Sequence, residues 1–564
     1  VSGPGASNLR QALALVEGLV AAGVEHAVLS PGSRSTPLAL ACLRTPALTS
    51  HVAVDERCAA FFALGLARAT GRPAAVVATS GSAPAHWYPA VIEADESGVP
   101  LVLLSADRPP ELVGWGANQT TDQGQLFGRH VRAFHPLGPA EEGPGLDHAR
   151  ALGVRAGEES RWPVPGPVHL NVAFREPLVP EAPVEVPAAT ARPWHPPWPA
   201  PEPGQVARVA GTVAGRPGVI LCGPRPLEEA AATALAGLAG ALACPVLADP
   251  LSGLRFGPHP RARVLARYDA FLRQEELAAA LAPDWVLQVG PLPVSKAVLA
   301  YLARHPRAER LLLDPTGRWA DPLHRPGERL RADPEALARA LLAAGPRPAP
   351  HGWWAGFEAA EARAGPLAGE ALPTEAGVVR AILDRLPDRS TLFCGNSLPV
   401  RQVDTWSGVG PRRLGLVGSR GVSGIDGQVS TALGLAAGTG RPTAALLGDL
   451  AFYHDLTGLA LARGLDVTLV VLNNGGGGIF EYLPQAGLPE LERGWLTPLG
   501  LDLAHAARLF GLGFRRVEGM EGCAGAIGEA LAAGGPRVVE VMIDRAESLA
   551  RHRAYWARVA GGPW

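Results

Sequence analysis

The chain has 564 residues, 47% hydrophobic and 18% charged, with a net charge of −2. That balance gives no basis for a nucleic-acid or anionic-membrane partner, and no apolar run reaches the ~18–20 residues of a membrane span. The N-terminal stretch lacks a basic start followed by an apolar core, so no signal peptide is expected. The six cysteines form no CxxC pair and read as buried small apolar residues of a reducing cytoplasm, not as disulfides or a zinc site.

Two proline-rich stretches, 176–204 and 343–352, cannot be central strands or helices, because proline fixes φ and lacks an N–H donor. They divide the chain into domains at 1–178, 200–343 and 355–564. In chain order, HAVLS, AAVVAT and PLVLLSA are strand-like in the first part, GVILCG, DWVLQVG and RLLLD in the second, and TAALLGD and VTLVVLNN in the third. Uninterrupted apolar strands alternating with amphipathic stretches predict an α/β fold of three doubly wound domains, each a parallel sheet covered on both faces. Ligands of such sheets bind at the carboxyl ends of the strands.

An internal repeat relates the first and third domains. ALGLARATGRPAA (63–75) and ALGLAAGTGRPTA (432–444) agree at ten of thirteen positions, 369 residues apart. Each reads as a helix ending at glycine, an Arg-Pro turn and a buried strand, so the two domains are expected to share one fold. Their strand ends differ, TSGS at 79–82 against GDLAFYHD at 448–455.

The third domain carries a candidate ion site. Gly448 permits a tight turn at a strand end, Asp449 places a carboxylate there, and DLAFYHDLTGLALARGL reads as one helix. Asn474 follows Asp449 by 25 residues, the length of one helix plus one strand, which puts both at one sheet edge. A carboxylate, an amide oxygen and the Gly476 carbonyl are hard ligands suited to Mg²⁺ that also holds phosphates, and NNGGGG lets bare backbone approach a pyrophosphate. Asn-Gly is also a strong hairpin signal, so a plain turn is the competing reading.

A GD pair followed one helix and one strand later by NN resembles the signature of thiamine-diphosphate enzymes. The resemblance implies thiamine diphosphate with Mg²⁺ or Mn²⁺, a pyrimidine-binding first domain and a pyrophosphate-binding third domain. It also implies active sites between subunits, hence at least a homodimer, with a homotetramer expected. Further stretches are similar to one branch, the 2-succinyl-5-enolpyruvyl-6-hydroxy-3-cyclohexene-1-carboxylate synthases of menaquinone biosynthesis: SPGSRSTPLAL (30–40), DERCAAFFALGLA (55–67), SADRPPELVGWGANQT (105–120), NSLPVR (396–401), SRGVSGIDGQVST (419–431) and GGIFEYLP (477–484). This implies a cytoplasmic enzyme that decarboxylates 2-oxoglutarate and adds the resulting succinyl unit to isochorismate.

By that resemblance Glu56 hydrogen-bonds the aminopyrimidine and Ile425 props the cofactor in its bent shape. Asp449, Asn474 and Gly476 hold the metal, and Ser397 and Gly448 contact the cofactor. Ser33, Arg34, Arg108, Asn118, Gln119, Lys296, Arg401, Arg420, Ile479, Phe480 and Leu483 face the substrates. The chemistry agrees, since both substrates are dicarboxylates and arginine pairs with carboxylates bidentately. Lys296 is the one lysine among 51 basic residues. Taken singly, each arginine is equally readable as a solvated surface charge, Glu56 as ordinary charge complementation at a helix start, and Ile425 as core. The segment after TSG carries His86 where the family commonly has asparagine, which leaves that loop's contacts open. Two other readings stand beside this one. Another thiamine-diphosphate 2-oxoacid lyase would need fewer cations, and a non-catalytic homologue would not require Glu56, Asp449 and Asn474 together.

Overall fold

The computed structural model describes residues 3–185, 196–325 and 327–561, so the middle of the first proline-rich stretch lies outside the described residues. Its strands form three six-stranded sheets, parallel at every pairing described. The first holds β1 (His26–Leu29), β2 (Thr49–Val52), β3 (Ala74–Ala78), β4 (Leu101–Asp107), β5 (Phe134–Leu137) and β6 (Pro167–Ala173), in the order β2-β1-β3-β4-β6-β5. The second holds β7 (Gly218–Cys222), β8 (Val246–Ala248), β9 (Val264–Leu265), β10 (Trp285–Val289), β11 (Glu309–Leu313) and β12 (Glu328–Leu330), ordered β12-β11-β10-β7-β8-β9. The third holds β13 (Thr391–Cys394), β14 (Gly415–Val417), β15 (Thr443–Gly448), β16 (Val467–Asn473), β17 (Gly513–Glu518) and β18 (Arg537–Met542), ordered β14-β13-β15-β16-β18-β17.

The first and third sheets therefore share one topology. The middle sheet has its own, the doubly wound order in which strands grow outward on both sides of the first one. Every residue of β3, β7 and β10 is buried, which is why these strands read as unbroken apolar runs rather than as alternating ones.

The described residues fall into two compact units. One runs to residue 197 and adds Ser419–Arg441 and Ala451–Val467; the other comprises 198–418, Pro442–Leu450 and the residues from 468 onward. Two segments of the expected third domain thus belong to the first unit. The cause is the repeat itself. Helix Glu56–Thr70 packs on helix Gln428–Thr439, and the matched glycines make the approach possible. A Cβ on Gly65 would stand 2.2 Å from the Thr431 carbonyl oxygen, and one on Gly434 would stand 2.1 Å from that of Phe62. These contacts are mirror partners under the repeat, so the two copies face each other about a local pseudo-twofold. Gly71 and Gly440 then close their helices in the left-handed region, at φ 65° and 60°.

One expectation fails locally. The stretch from Asp449 is not one helix: an α-helix spans Asp449–His454, and a 3-10 segment follows from Leu456 to Ala462. The break falls at Asp455, whose backbone leaves the helical region (φ −120°, ψ 35°). Its buried carboxylate accepts the Ser430 N–H at 2.6 Å and the Ser430 hydroxyl at 3.0 Å.

Candidate active site

In the second unit the candidate ion site is assembled by sheet order. β15 and β16 are neighbours, so Asp449 and Asn474, each one residue beyond its strand, emerge side by side at the carboxyl edge. β13 lies on the other flank of β15 and leads to Ser397, at the point where strand order reverses. The parallel pairing of β16 with β18 rules out a hairpin at Asn-Gly.

Asp449 is 6% exposed, and its Oδ2 accepts the Gly476 N–H at 2.7 Å. Burial pushes its pKa up to about 6, against the opposing pull of backbone N–H groups and Arg545. Asn474 Oδ1 is buried and has no hydrogen-bond partner among the described residues, an uncommon state for a buried carbonyl-type oxygen. The Gly476 carbonyl accepts the Gly478 N–H at 2.9 Å, which leaves it a second lone pair. A buried carboxylate, an orphaned amide oxygen and a half-used carbonyl form a hard-oxygen set that fits a small divalent cation. No cluster of three or more His, Cys, Asp or Glu suited to a metal occurs among the described residues.

The four glycines each answer to a steric demand. Gly475 and Gly476 take φ 69° and 129°, the second a region almost closed to side-chain-bearing residues. A Cβ on Gly476 would lie 2.0 Å from the Leu496 carbonyl oxygen, one on Gly477 2.4 Å from that of Trp495, and one on Gly478 2.6 Å from Asn474 Nδ2. Behind the loop, Asn473 Oδ1 accepts the Gly475 N–H at 3.0 Å while its amide donates to the buried Glu540 at 2.6 Å. The two asparagines thus divide the work: Asn473 holds the turn, and Asn474 is left open.

Lys296, Arg401, Ile479 and Leu483 line a single cavity of about 220 Å³. Lys296 opens a helix capped by Ser295, so its ammonium starts from a rigid element. Arg401 sits one turn into helix Leu398–Trp406 and donates to the carbonyl of Ser397, which is held at φ 70°. Such a conformation for a non-glycine residue marks a constrained, often functional position. Phe480 is half-buried next to this cavity's Ile479, with its ring 3.0 Å from the Cβ position of Gly477. Sequence reasoning missed other lining groups: Arg273, stacked on Trp556 at 4.3 Å, and Tyr482, 3.2 Å from His552 Nδ1. Trp556 and His552 lie on the C-terminal helix Arg545–Ala560, where the pattern signals only burial.

In the first unit Ser33, Arg34 and Arg108 follow β1 and β4, on either side of β3, at the carboxyl edge equivalent to that of the candidate ion site. Ser80, just past β3, was not singled out from sequence, yet it joins them. Arg108 donates to its hydroxyl, which donates to the Gln119 carbonyl at 3.0 Å, while Gln119 Nε2 donates to the Ser80 carbonyl at 3.1 Å. Gln119 is held at φ 54°. Arg34 is 6% exposed and pairs with the Phe174 carbonyl and with Glu176, both at 2.9 Å. Burial, and then the like charge of Arg34, lower the Arg108 pKa, so an anion placed here would relieve a repulsion. Ser33 and Asn118 are exposed, as is His86.

Glu56 is the first residue of its helix. Asp55 caps that helix by accepting the N–H groups of Arg57 and Cys58 at 2.9 and 3.3 Å. The Glu56 side chain is half-buried and makes no hydrogen bond among the described residues. Ile425 is 36% exposed, so it is not core. Arg420 is half-buried in the same loop.

Comparison with known proteins agrees with this fold. Residues 2–126 match the thiamine pyrophosphate enzyme N-terminal TPP binding domain, 191–394 the middle domain of thiamine pyrophosphate enzymes, and 406–541 the C-terminal TPP binding domain. The 2-succinyl-5-enolpyruvyl-6-hydroxy-3-cyclohexene-1-carboxylate synthase of Dechloromonas aromatica is 45% identical, covering 95% of this chain and 99% of its own. That of Geobacillus kaustophilus is 43% identical over 97% of each. The crystal structure of benzoylformate decarboxylase from Polynucleobacter necessarius superposes with a TM-score of 0.70, covering 95% of this chain and 98% of that one at 19% identity, a likeness of fold. With three domain models matched in order and near-complete alignment to these synthases, the chain belongs to the 2-succinyl-5-enolpyruvyl-6-hydroxy-3-cyclohexene-1-carboxylate synthase family of thiamine pyrophosphate enzymes.

Proposed function

We propose that this chain catalyses the decarboxylation of 2-oxoglutarate and the conjugate addition of the succinyl unit to isochorismate, with thiamine diphosphate and Mg²⁺ or Mn²⁺. The observation that carries the reading is the cavity in which the chain's one lysine, Lys296, converges with Arg401 beside the apolar Ile479 and Leu483. Two cations beside apolar walls suit a substrate with more than one carboxylate and a reaction that must exclude water.

When bound, thiamine diphosphate supplies a nucleophilic carbon and an electron sink. Asp449, Asn474 Oδ1 and the Gly476 carbonyl would hold the cation, with Gly448 and Ser397 against the cofactor. The orphaned Asn474 oxygen supports that assignment. Glu56 would hold the proton at the aminopyrimidine N1′, and its free, half-buried carboxylate at a rigid helix start suits the task. Ile425, exposed on its loop, would support the cofactor ring. Lys296, Arg401 and Arg420 would pair with substrate carboxylates, as would Arg34 and Arg108, with Ser33, Asn118 and Gln119 hydrogen-bonding beside them. Ile479, Phe480 and Leu483 would keep water out. We further infer a homodimer at least, with a homotetramer expected, working in the cytoplasm; six free, buried cysteines support a reducing compartment.

The test is incubation with thiamine diphosphate, Mg²⁺ and 2-oxoglutarate, with and without isochorismate. An isochorismate-dependent adduct with release of CO₂ is expected, and Glu56→Gln should abolish it while cofactor binding persists. CO₂ release without adduct would identify a decarboxylase instead, and full activity in Glu56→Gln would refute the role given to that residue.

A further inference from the structure

The loop from Ser419 to Gly427 carries both Arg420 and Ile425, yet its tip is exposed and it contains three glycines. Such a segment needs an external anchor to hold two side chains in place. The anchor is a carboxylate. Glu93, on helix Tyr88–Ser97, is 2% exposed and accepts two consecutive loop N–H groups, Gly421 at 3.0 Å and Val422 at 2.8 Å. Its Oε1 also accepts from Arg68 at 2.7 Å, and the two side chains are 3% and 13% exposed. Arg68 lies on the helix that begins at Glu56.

The loop is moulded to this contact. A Cβ on Gly421 would stand 2.7 Å from the Glu93 carbonyl oxygen and 2.9 Å from the Ser97 nitrogen. At the far end a Cβ on Gly427 would overlap the Phe61 ring at 2.0 Å. Only Ser423 to Asp426 stand between the two anchors. Nothing in the sequence pattern around VIEADESG marks Glu93 as other than an amphipathic-helix residue. A buried carboxylate that spends both oxygens on another segment's backbone, and is neutralised by a half-buried arginine, is costly unless the geometry it enforces matters.

We propose that Glu93 is a positioning residue for the reaction: it fixes the loop that presents Arg420 and Ile425, and its ion pair with Arg68 ties that loop to the helix of Glu56. This rests on the reading of Glu56 and Ile425 as cofactor-facing residues. Two variants of the full chain separate the effects. Glu93→Gln removes the charge, and Gly421→Ala displaces the loop while keeping both side chains of the ion pair. Arg339→Gln, which removes an exposed ion pair on a helix of the middle domain, is the control.

Two measurements apply to each variant. The first is the rate of tryptic cleavage of the bond after Arg420 without cofactor, which reports the anchor. The second is titration of thiamine diphosphate with Mg²⁺, read by tryptophan fluorescence, which reports its consequence. In both variants, cleavage at least tenfold faster and cofactor affinity at least fivefold weaker are expected, with the control unchanged. Should Glu93→Gln fail to fold, Gly421→Ala decides. Cofactor affinity within twofold of the parent in Gly421→Ala overturns the proposal, whatever the cleavage rate, because the anchor is then structural only. A parent chain that binds no thiamine diphosphate would instead sink the proposed function, and the positioning role with it.

Discussion

Replacing Gly476 by alanine adds one methyl group at the most confined point of the proposed ion site. Its backbone sits at φ 129°, and the new Cβ would lie 2.0 Å from the Leu496 carbonyl oxygen. The conformation alone costs a side-chain-bearing residue roughly 1–3 kcal/mol. The overlap is with backbone, so no side-chain rotation relieves it. That same Leu496 oxygen accepts the Gly477 N–H at 2.7 Å, so moving the loop away sacrifices a hydrogen bond worth about 1 kcal/mol. Together about 3 kcal/mol stands against the geometry that presents Asp449, Asn474 and the Gly476 carbonyl to one ion, a loss of roughly a hundredfold in affinity. The assay is calorimetric titration with thiamine diphosphate and Mg²⁺, paired with thermal unfolding in their presence and absence. The ligand-induced rise in unfolding midpoint should vanish in Gly476→Ala but persist in Gly487→Ala, where the added methyl group meets open space. Binding by Gly476→Ala within threefold of the parent would refute the account of the glycine loop.

Three further outcomes are expected. Arg401→Lys, which keeps the charge but loses the planar fork, should raise the KM of a carboxylate substrate about tenfold or more while leaving cofactor affinity unchanged; equal losses in both would remove the substrate role. Lys296→Met should behave alike, since Lys296 lines the same cavity. Asp455→Asn bears on pH. Burial raises the Asp455 pKa from 3.8 to about 6, so the folded state holds that proton more tightly than the unfolded one. Stability is therefore lost as pH rises from about 4 to 6, by up to about 3 kcal/mol. The asparagine variant, apart from a constant offset for the altered bond to Ser430, lacks that loss. Its unfolding midpoint relative to the parent should climb between pH 4 and 7, and parallel pH profiles would contradict the assignment.

The layered α/β character was legible because parallel strands buried on both faces leave unbroken apolar runs, as in AAVVA and VTLVVL. The repeat was legible because two helices that pack face to face at glycine must keep those glycines. The spacing of Asp449 and Asn474 was legible because one helix and one strand between two residues return the chain to the same edge. The helix running on from Asp449 was misjudged, since nothing in its pattern announces that Asp455 turns aside to hold Ser430. Ser80 and Glu93 were missed for a related reason. Each acts through backbone groups of a distant segment, and a hydrogen bond to a main-chain N–H or C=O leaves no mark on the partner's sequence.

By itself, then, the sequence determined which residues carry charge, which lack a side chain, and which strand ends they follow. Local periodicity and spacing encode those properties directly. Only the tertiary structure decided which of the two asparagines is free, why four glycines stand in a row, and what holds the loop of Arg420 and Ile425. Each of those depends on atoms brought within 3 Å from tens or hundreds of residues away: Glu540 behind Asn473, the Leu496 carbonyl over Gly476, Glu93 beneath Gly421. Contacts of that kind follow from how the elements pack, which no single segment of the chain contains.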